Sequence, residues 1–189
     1  LKKRISNDQL VSFLLKGTKS EDLSLKKRSV DGLTQCDDLS AALPRLIALL
    51  KDSDEGVRLA AATGITKAMP NAAAVDPLIQ ALSDESQPVR FEVLKALGKG
   101  ELPINGKSKV ASLIKDEDEN IRYLVVSLFA NDPNGLMQPP LSEASRDDSV
   151  RIRWKVEGSI SALGTVEAKA FLDGIRSEKW EKSRAAWKW

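Results

Sequence analysis

Two acidic runs, DSDE at 52–55 and DEDE at 116–119, and a single thiol, Cys36, carry the most evident chemistry in this sequence. Clustered carboxylates can hold a divalent cation, yet neither run has the alternating spacing of a dedicated calcium loop. Cys36, in TQCDD, would need a neighbouring base or cation to act as a thiolate nucleophile. The chain has no histidine. That removes the commonest metal ligand, the usual general base and the side chain that titrates near neutrality. The glycines of GKG and NGK are too few, and lack a preceding strand, to cradle a phosphate. We therefore expect no enzyme activity, no cofactor and no metal. The acidic runs read as helix starts, and Cys36 as a buried or incidental thiol.

Recognition is the other chemistry available. The four tryptophans stand at 154, 180, 187 and 189, and in EKWEKSRAAWKW the residues Trp180, Arg184 and Trp187 fall at i, i+4 and i+7 of a helix, with Trp189 beyond. Residues 176–189 hold five basic and two acidic side chains. This segment is expected either to close the end of the fold as a cap or to dock a partner as a tail. The first 35 residues carry eight basic and four acidic groups. Nucleic acid would need a continuous basic stripe, which Leu59, Ala60, Leu124 and Ile152 interrupt. A net charge of +2 does not favour it either.

Something must position these residues, and a repeat does so. LLKDSDEGVR at 49–58 recurs 32 residues later as ALSDESQPVR and again as LIKDEDENIR. Stepping by 32 gives Leu14, Leu46, Leu78 and Val110; Leu25, Val57, Val89 and Ile121; Val30, Ala62, Leu94 and Val126; and Leu33, Ile65, Leu97 and Phe129. All sixteen positions are apolar in a chain that is 42% apolar, so the period is real.

Each unit has helical spacing. Leu43, Leu46, Ile47 and Leu50 form one stripe, and Val57, Ala61, Ala62 and Ile65 another. Between them lies an acidic turn in which Ser20, Asp52, Asp84 and Asp116 are placed to accept amides of the following helix. A basic column, Lys26, Arg58, Arg90 and Arg122, continued by Arg151, predicts a ladder of ion pairs between repeats, each contributing about 0.2–1 kcal/mol if exposed. The units are predicted at 7–36, 39–69, 72–99, 105–131 and 136–164, within a repeat region 1–175, followed by the 176–189 segment. Prolines and glycines in NDPNG and QPP disturb the fifth unit, where the spacing from Ile121 to Val150 drops to 29. Two registers fit its second helix.

DESQPVRFEVLKALG at 84–98 resembles the HEAT repeat, and more narrowly is similar to the short HEAT-like repeats named after phycobilisome lyases. The resemblance covers residues 7–131 well and 132–175 loosely. It implies an all-α, right-handed α–α superhelix of HEAT/armadillo type with about five helical hairpins. The second helices would line its groove, so the positions after V-R and four beyond face a ligand. Those are Lys27 and Asp31, Leu59 and Thr63, Phe91 and Lys95, Tyr123 and Ser127, and Ile152 and Val156, with Glu92, Lys95 and Arg153 as a polar rim. Of the five positions directly after V-R, which the repeat usually keeps polar, four are large and apolar or aromatic here, Leu59, Phe91, Tyr123 and Ile152, which is a binding-surface signal.

The expected function is non-catalytic protein binding as a scaffold, adaptor or assembly factor. One alternative is a bilin- or phycobiliprotein-handling factor like the lyase relatives, and another a DNA- or RNA-binding array. One cysteine and no charged-then-apolar leader suit a reducing compartment, cytoplasm or plastid stroma. No apolar run approaches the ~20 residues that span a bilayer.

Overall fold

The computed structural model describes residues 6–130 and 139–186; for Pro139 and from residue 178 onward only the backbone is described. Among the described residues all regular structure is helical. The chain divides into two compact units, Leu1–Val110 and Ala111–Trp189.

In the first unit, hairpins form from α1 (Asn7–Gly17) and α2 (Leu23–Thr34), α3 (Leu43–Leu49) and α4 (Glu55–Ala68), and α5 (Ala72–Ala81) and α6 (Gln87–Leu97). The second helices stack in order, α2 on α4 and α4 on α6, and each hairpin also packs internally. Helix α7 (Ile104–Ser112) begins in this unit. The second unit holds a 3-10 turn (Leu113–Lys115), α8 (Glu119–Ala130), α9 (Pro139–Ala144), α10 (Val150–Ser161) and α11 (Val166–Ala186). There α10 packs on both α8 and α11. The boundary expected at 175/176 falls inside α11, one continuous helix. Helix α9 is only six residues long and opens on the prolines that predicted its disturbance.

The apolar columns form the core. Fourteen of the sixteen repeat positions are buried, and the two exceptions lie in the first hairpin: Leu14 is half-buried and Leu25 exposed. Burying a side chain of this size stabilises by roughly 1.5–3 kcal/mol. With no aromatic bulk to spare, close helix approach matters. Gly17 of α1 lies against Ser29 of α2, where an added Cβ would come within 2.9 Å of the serine Cβ.

The turns divide their labour differently from the expectation. The residues that cap the second helices stand two positions after the predicted ones. Asp54, Ser86, Asp118 and Ser149 accept the N3 amides of Val57, Val89, Ile121 and Ile152 at 3.0–3.4 Å. Asp52, Asp84, Asp116 and Asp147 instead accept the backbone N–H of those caps at 2.8–3.0 Å, each closing an Asx turn. In Asp52, Asp84 and Asp147 the second carboxylate oxygen faces a neighbouring repeat.

The ladder of ion pairs uses that oxygen. Lys26 meets Asp52 at 3.0 Å, Arg58 meets Asp84 at 2.8 Å, and Arg122 meets Asp147 at 2.8 Å. Arg58 is not an exposed pair. It is 7% exposed, and its five N–H groups reach both oxygens of Asp84, Glu85 and the carbonyls of Asp52 and Ser53. The surface-pair energy expected from sequence therefore understates it, because removing one partner of a buried pair costs about 3–5 kcal/mol.

Candidate functional site in the second unit

The same Asp–Arg spacing fixes the register that the sequence left open. Arg58, Arg90 and Arg122 each donate Nη1 to the carbonyls of the residue six before and the one after it. In α10 the residue that does this is Arg153, to Asp147 and Asp148. Arg151 is thus not the fifth member of the basic column, and every position after it moves by two. Ile152 corresponds to the core column Val57, Val89 and Ile121 and is fully buried. It cannot line a partner-facing surface, and Val156 is buried with it. The position equivalent to Leu59, Phe91 and Tyr123 is Trp154, which is 69% exposed.

The forked pair of Arg122 with Asp147, Nε to Oδ2 at 2.8 Å and Nη2 to Oδ1 at 3.1 Å, ties α8 to the turn before α10. Tyr123, next to Arg122, is thereby set against the first turns of α10. The Arg151 guanidinium lies 4.1 Å from the Tyr123 ring centroid and the Lys155 ammonium 5.9 Å from it, both within cation–π range. Tyr123, Val150, Arg151, Trp154 and Lys155 line an open cleft of about 520 Å³. Val150 at 47% and Trp154 at 69% exposure supply its apolar wall. Ser127, one turn on from Tyr123, donates its hydroxyl to the Tyr123 carbonyl at 2.9 Å and is half-buried.

In the first unit Leu59 and Phe91 are half-buried on α4 and α6. Lys95 is exposed but engaged, its Nζ 3.1 Å from Glu92 Oε2. Glu92 is 8% exposed, so it is a core-edge partner of Lys95 and not part of a polar rim. Arg153 likewise spends its guanidinium on backbone carbonyls.

The other candidates are used structurally. Two of the N-terminal basic side chains are paired, Lys26 with Asp52 at 3.0 Å and Lys27 with Asp54 at 2.9 Å. Cys36 is 3% exposed and burial raises its thiol pKa, with Lys67 partly opposing. A second cleft of about 730 Å³ is lined by Asp116, Arg122, Glu143 and Asp147, but its charges are largely committed to Arg122–Asp147 and Lys115–Glu143 pairs. Among the described residues no group of three or more Cys, Asp or Glu is placed to hold a metal ion, and no helix is long and apolar enough to cross a membrane. Trp187 and Trp189 lie outside the described residues, and Trp180 and Arg184 are described only as helical backbone.

Residues 43–104, from α3 into α7, match the family model for HEAT repeats. The fold is of the HEAT and armadillo class. A designed armadillo repeat protein solved with the peptide (KR)4 superposes with a TM-score of 0.68 at 20% identity, over 89% of each chain. Computationally designed armadillo repeat proteins for modular peptide recognition give 0.65 at 20% identity over 87% of each. A further designed armadillo repeat protein gives 0.62 at 18%, over 84% of this chain and 87% of the other. No curated protein sequence matches the chain. HEAT-type repeats in this chain thus rest on the 43–104 match and the shared fold, and the narrower likeness to lyase-type repeats gains no support.

Proposed function

We propose that this chain is a non-catalytic protein-binding scaffold or adaptor that docks a peptide segment on its second-helix faces. The observation that carries the reading is Trp154, a large aromatic side chain left 69% exposed beside a cation-flanked Tyr123. Aromatic side chains in partly desolvated pockets supply most of the energy of protein docking, and exposing one has no folding benefit. Leu59 and Phe91 offer a lesser apolar face on the first unit, with Lys95 beside Phe91. The structural neighbours that bind peptides through this fold support the class of partner. The test is selection of a random peptide library displayed on phage against the wild type and a Trp154→Ala variant. Peptides enriched by the wild type and lost by the variant are expected; if no peptide depends on Trp154, the reading fails. A bilin-handling role would draw on the same aromatics, and a visible-absorbance change on mixing the chain with a bilin would favour it instead.

A further inference from the structure

We infer that the Tyr123–Trp154 cleft takes an acidic peptide segment, with a carboxylate on Arg151 and an apolar side chain on Trp154. This rests on the docking function proposed above and adds the chemistry of the partner. Among the described residues Arg151 engages only Nη1, with Asn120 Oδ1 at 3.0 Å and Glu119 Oε1 at 3.7 Å. Its Nε and Nη2 hydrogens remain for the two-pronged pairing that a guanidinium makes with a carboxylate. Lys155 forms no ion pair among the described residues, and its ammonium is 5.9 Å from the Tyr123 ring. Stacking over Tyr123 restrains Arg151 before a ligand arrives, which lowers the ordering cost of binding. Glu119 offsets part of this charge, and its Oε1 also accepts the Ser149 hydroxyl at 2.9 Å. The cleft still presents two cations to one carboxylate.

The exposed aromatic between those cations, three residues from Arg151 and one from Lys155, adds an apolar requirement. A segment with alternating acidic and apolar residues satisfies both in the space of one or two side chains that about 520 Å³ provides. A basic segment such as (KR)4, which one of the designed neighbours holds, would meet like charge here. Nucleic acid is the less favoured occupant, because its affinity comes from many phosphate contacts and this cleft offers two cations beside a glutamate.

The experiment reads the net charge of the peptides that a random library yields against the wild type, counting only those lost with Trp154→Ala. It also uses a double variant, Arg151→Glu with Lys155→Glu, whose substitutions fall on solvent-facing or ring-stacked groups. Acidic peptides are expected, with affinity for the double variant reduced at least about tenfold, as truncating charges in a docking site does. Trp154-dependent peptides that are neutral or basic would overturn the acidic assignment while leaving the docking reading intact. No Trp154-dependent peptide would overturn both. Trp154-dependent binding of a short oligothymidylate, stronger than that of the acidic peptides, would replace the peptide with single-stranded nucleic acid.

Discussion

Arg58 holds both oxygens of Asp84, Nε to Oδ2 at 2.8 Å and Nη2 to Oδ1 at 3.0 Å, across 26 residues and with both side chains 8% exposed. This is how one repeat grips the next in the first unit. Arg58→Ala would leave the Asp84 carboxylate buried without its fork, so we expect a loss of about 3–5 kcal/mol in urea unfolding. Lys115→Ala breaks an exposed pair, with Lys115 74% exposed against Glu143, and should cost no more than about 1 kcal/mol. Equal costs for the two would refute the assignment of a buried clamp.

Asp147 gives the second unit an acid limb. Burial alone would push its carboxyl up, but the Arg122 fork, the Ser149 N–H and the charges of Arg122 and Arg153 together hold it below the ordinary 3.8. A carboxyl depressed in the folded state stabilises above its unfolded pKa, and that contribution is lost as pH falls through the folded value. Stability should therefore be flat near neutrality and decline below about pH 4. Asp147→Asn is expected to be less stable at pH 7 and to show a shallower decline on acidification. A parallel pair of curves would contradict this origin.

Cys36 should be slow to modify. It is buried at the end of α2, its sulfur 3.6 Å from the Gly32 carbonyl, and burial raises its pKa. Alkylation by iodoacetamide at pH 8 is expected to be far slower in the folded chain than in urea, rising with denaturant in step with unfolding. Rapid labelling of the native chain would show that the thiol is accessible.

Ile152 and Trp154 trade the roles that their sequence neighbourhood suggests. Ile152→Ala empties a fully buried site and should destabilise by about 2–5 kcal/mol. Trp154→Ala, with the side chain 69% exposed, should change the melting midpoint little. Thermal unfolding of the two variants checks the register directly.

Most of the fold was legible because burial imposes a period. Leu46, Leu78 and Val110, or Val57, Val89 and Ile121, are interchangeable apolar fillers of equivalent holes, and a 32-residue step exposes them. The caps were harder, since Asp52 and Asp54 are alike in sequence and only hydrogen-bond geometry separates the Asx turn from the helix cap. In the fifth repeat the sequence admits two registers, two residues apart. VRIR offers an arginine at either place, and V-R at 150–151 imitates the motif, whereas the six-residue step from Asp147 to Arg153 was the signal that decides it. Recurring lysine contacts leave as little mark in the sequence: Lys67 donates to the Thr34 carbonyl and Lys99, 32 residues on, to that of Thr66. They end helices, a role that favours a cation without fixing its position. The proposed docking cleft was half visible. Tyr123 could be picked out by its place after Arg122, but its coupling to Arg151 and Lys155 depends on how α8 and α10 pack.

The most direct measurement is the affinity of a wild-type-selected peptide for Trp154→Ala, taken on protein whose melting midpoint matches the wild type. We expect binding to weaken by tenfold or more, about 1.4 kcal/mol or above, because a central aromatic anchor has been removed from an intact fold. Unchanged affinity would place the partner elsewhere and contradict the docking role of the Tyr123–Trp154 cleft.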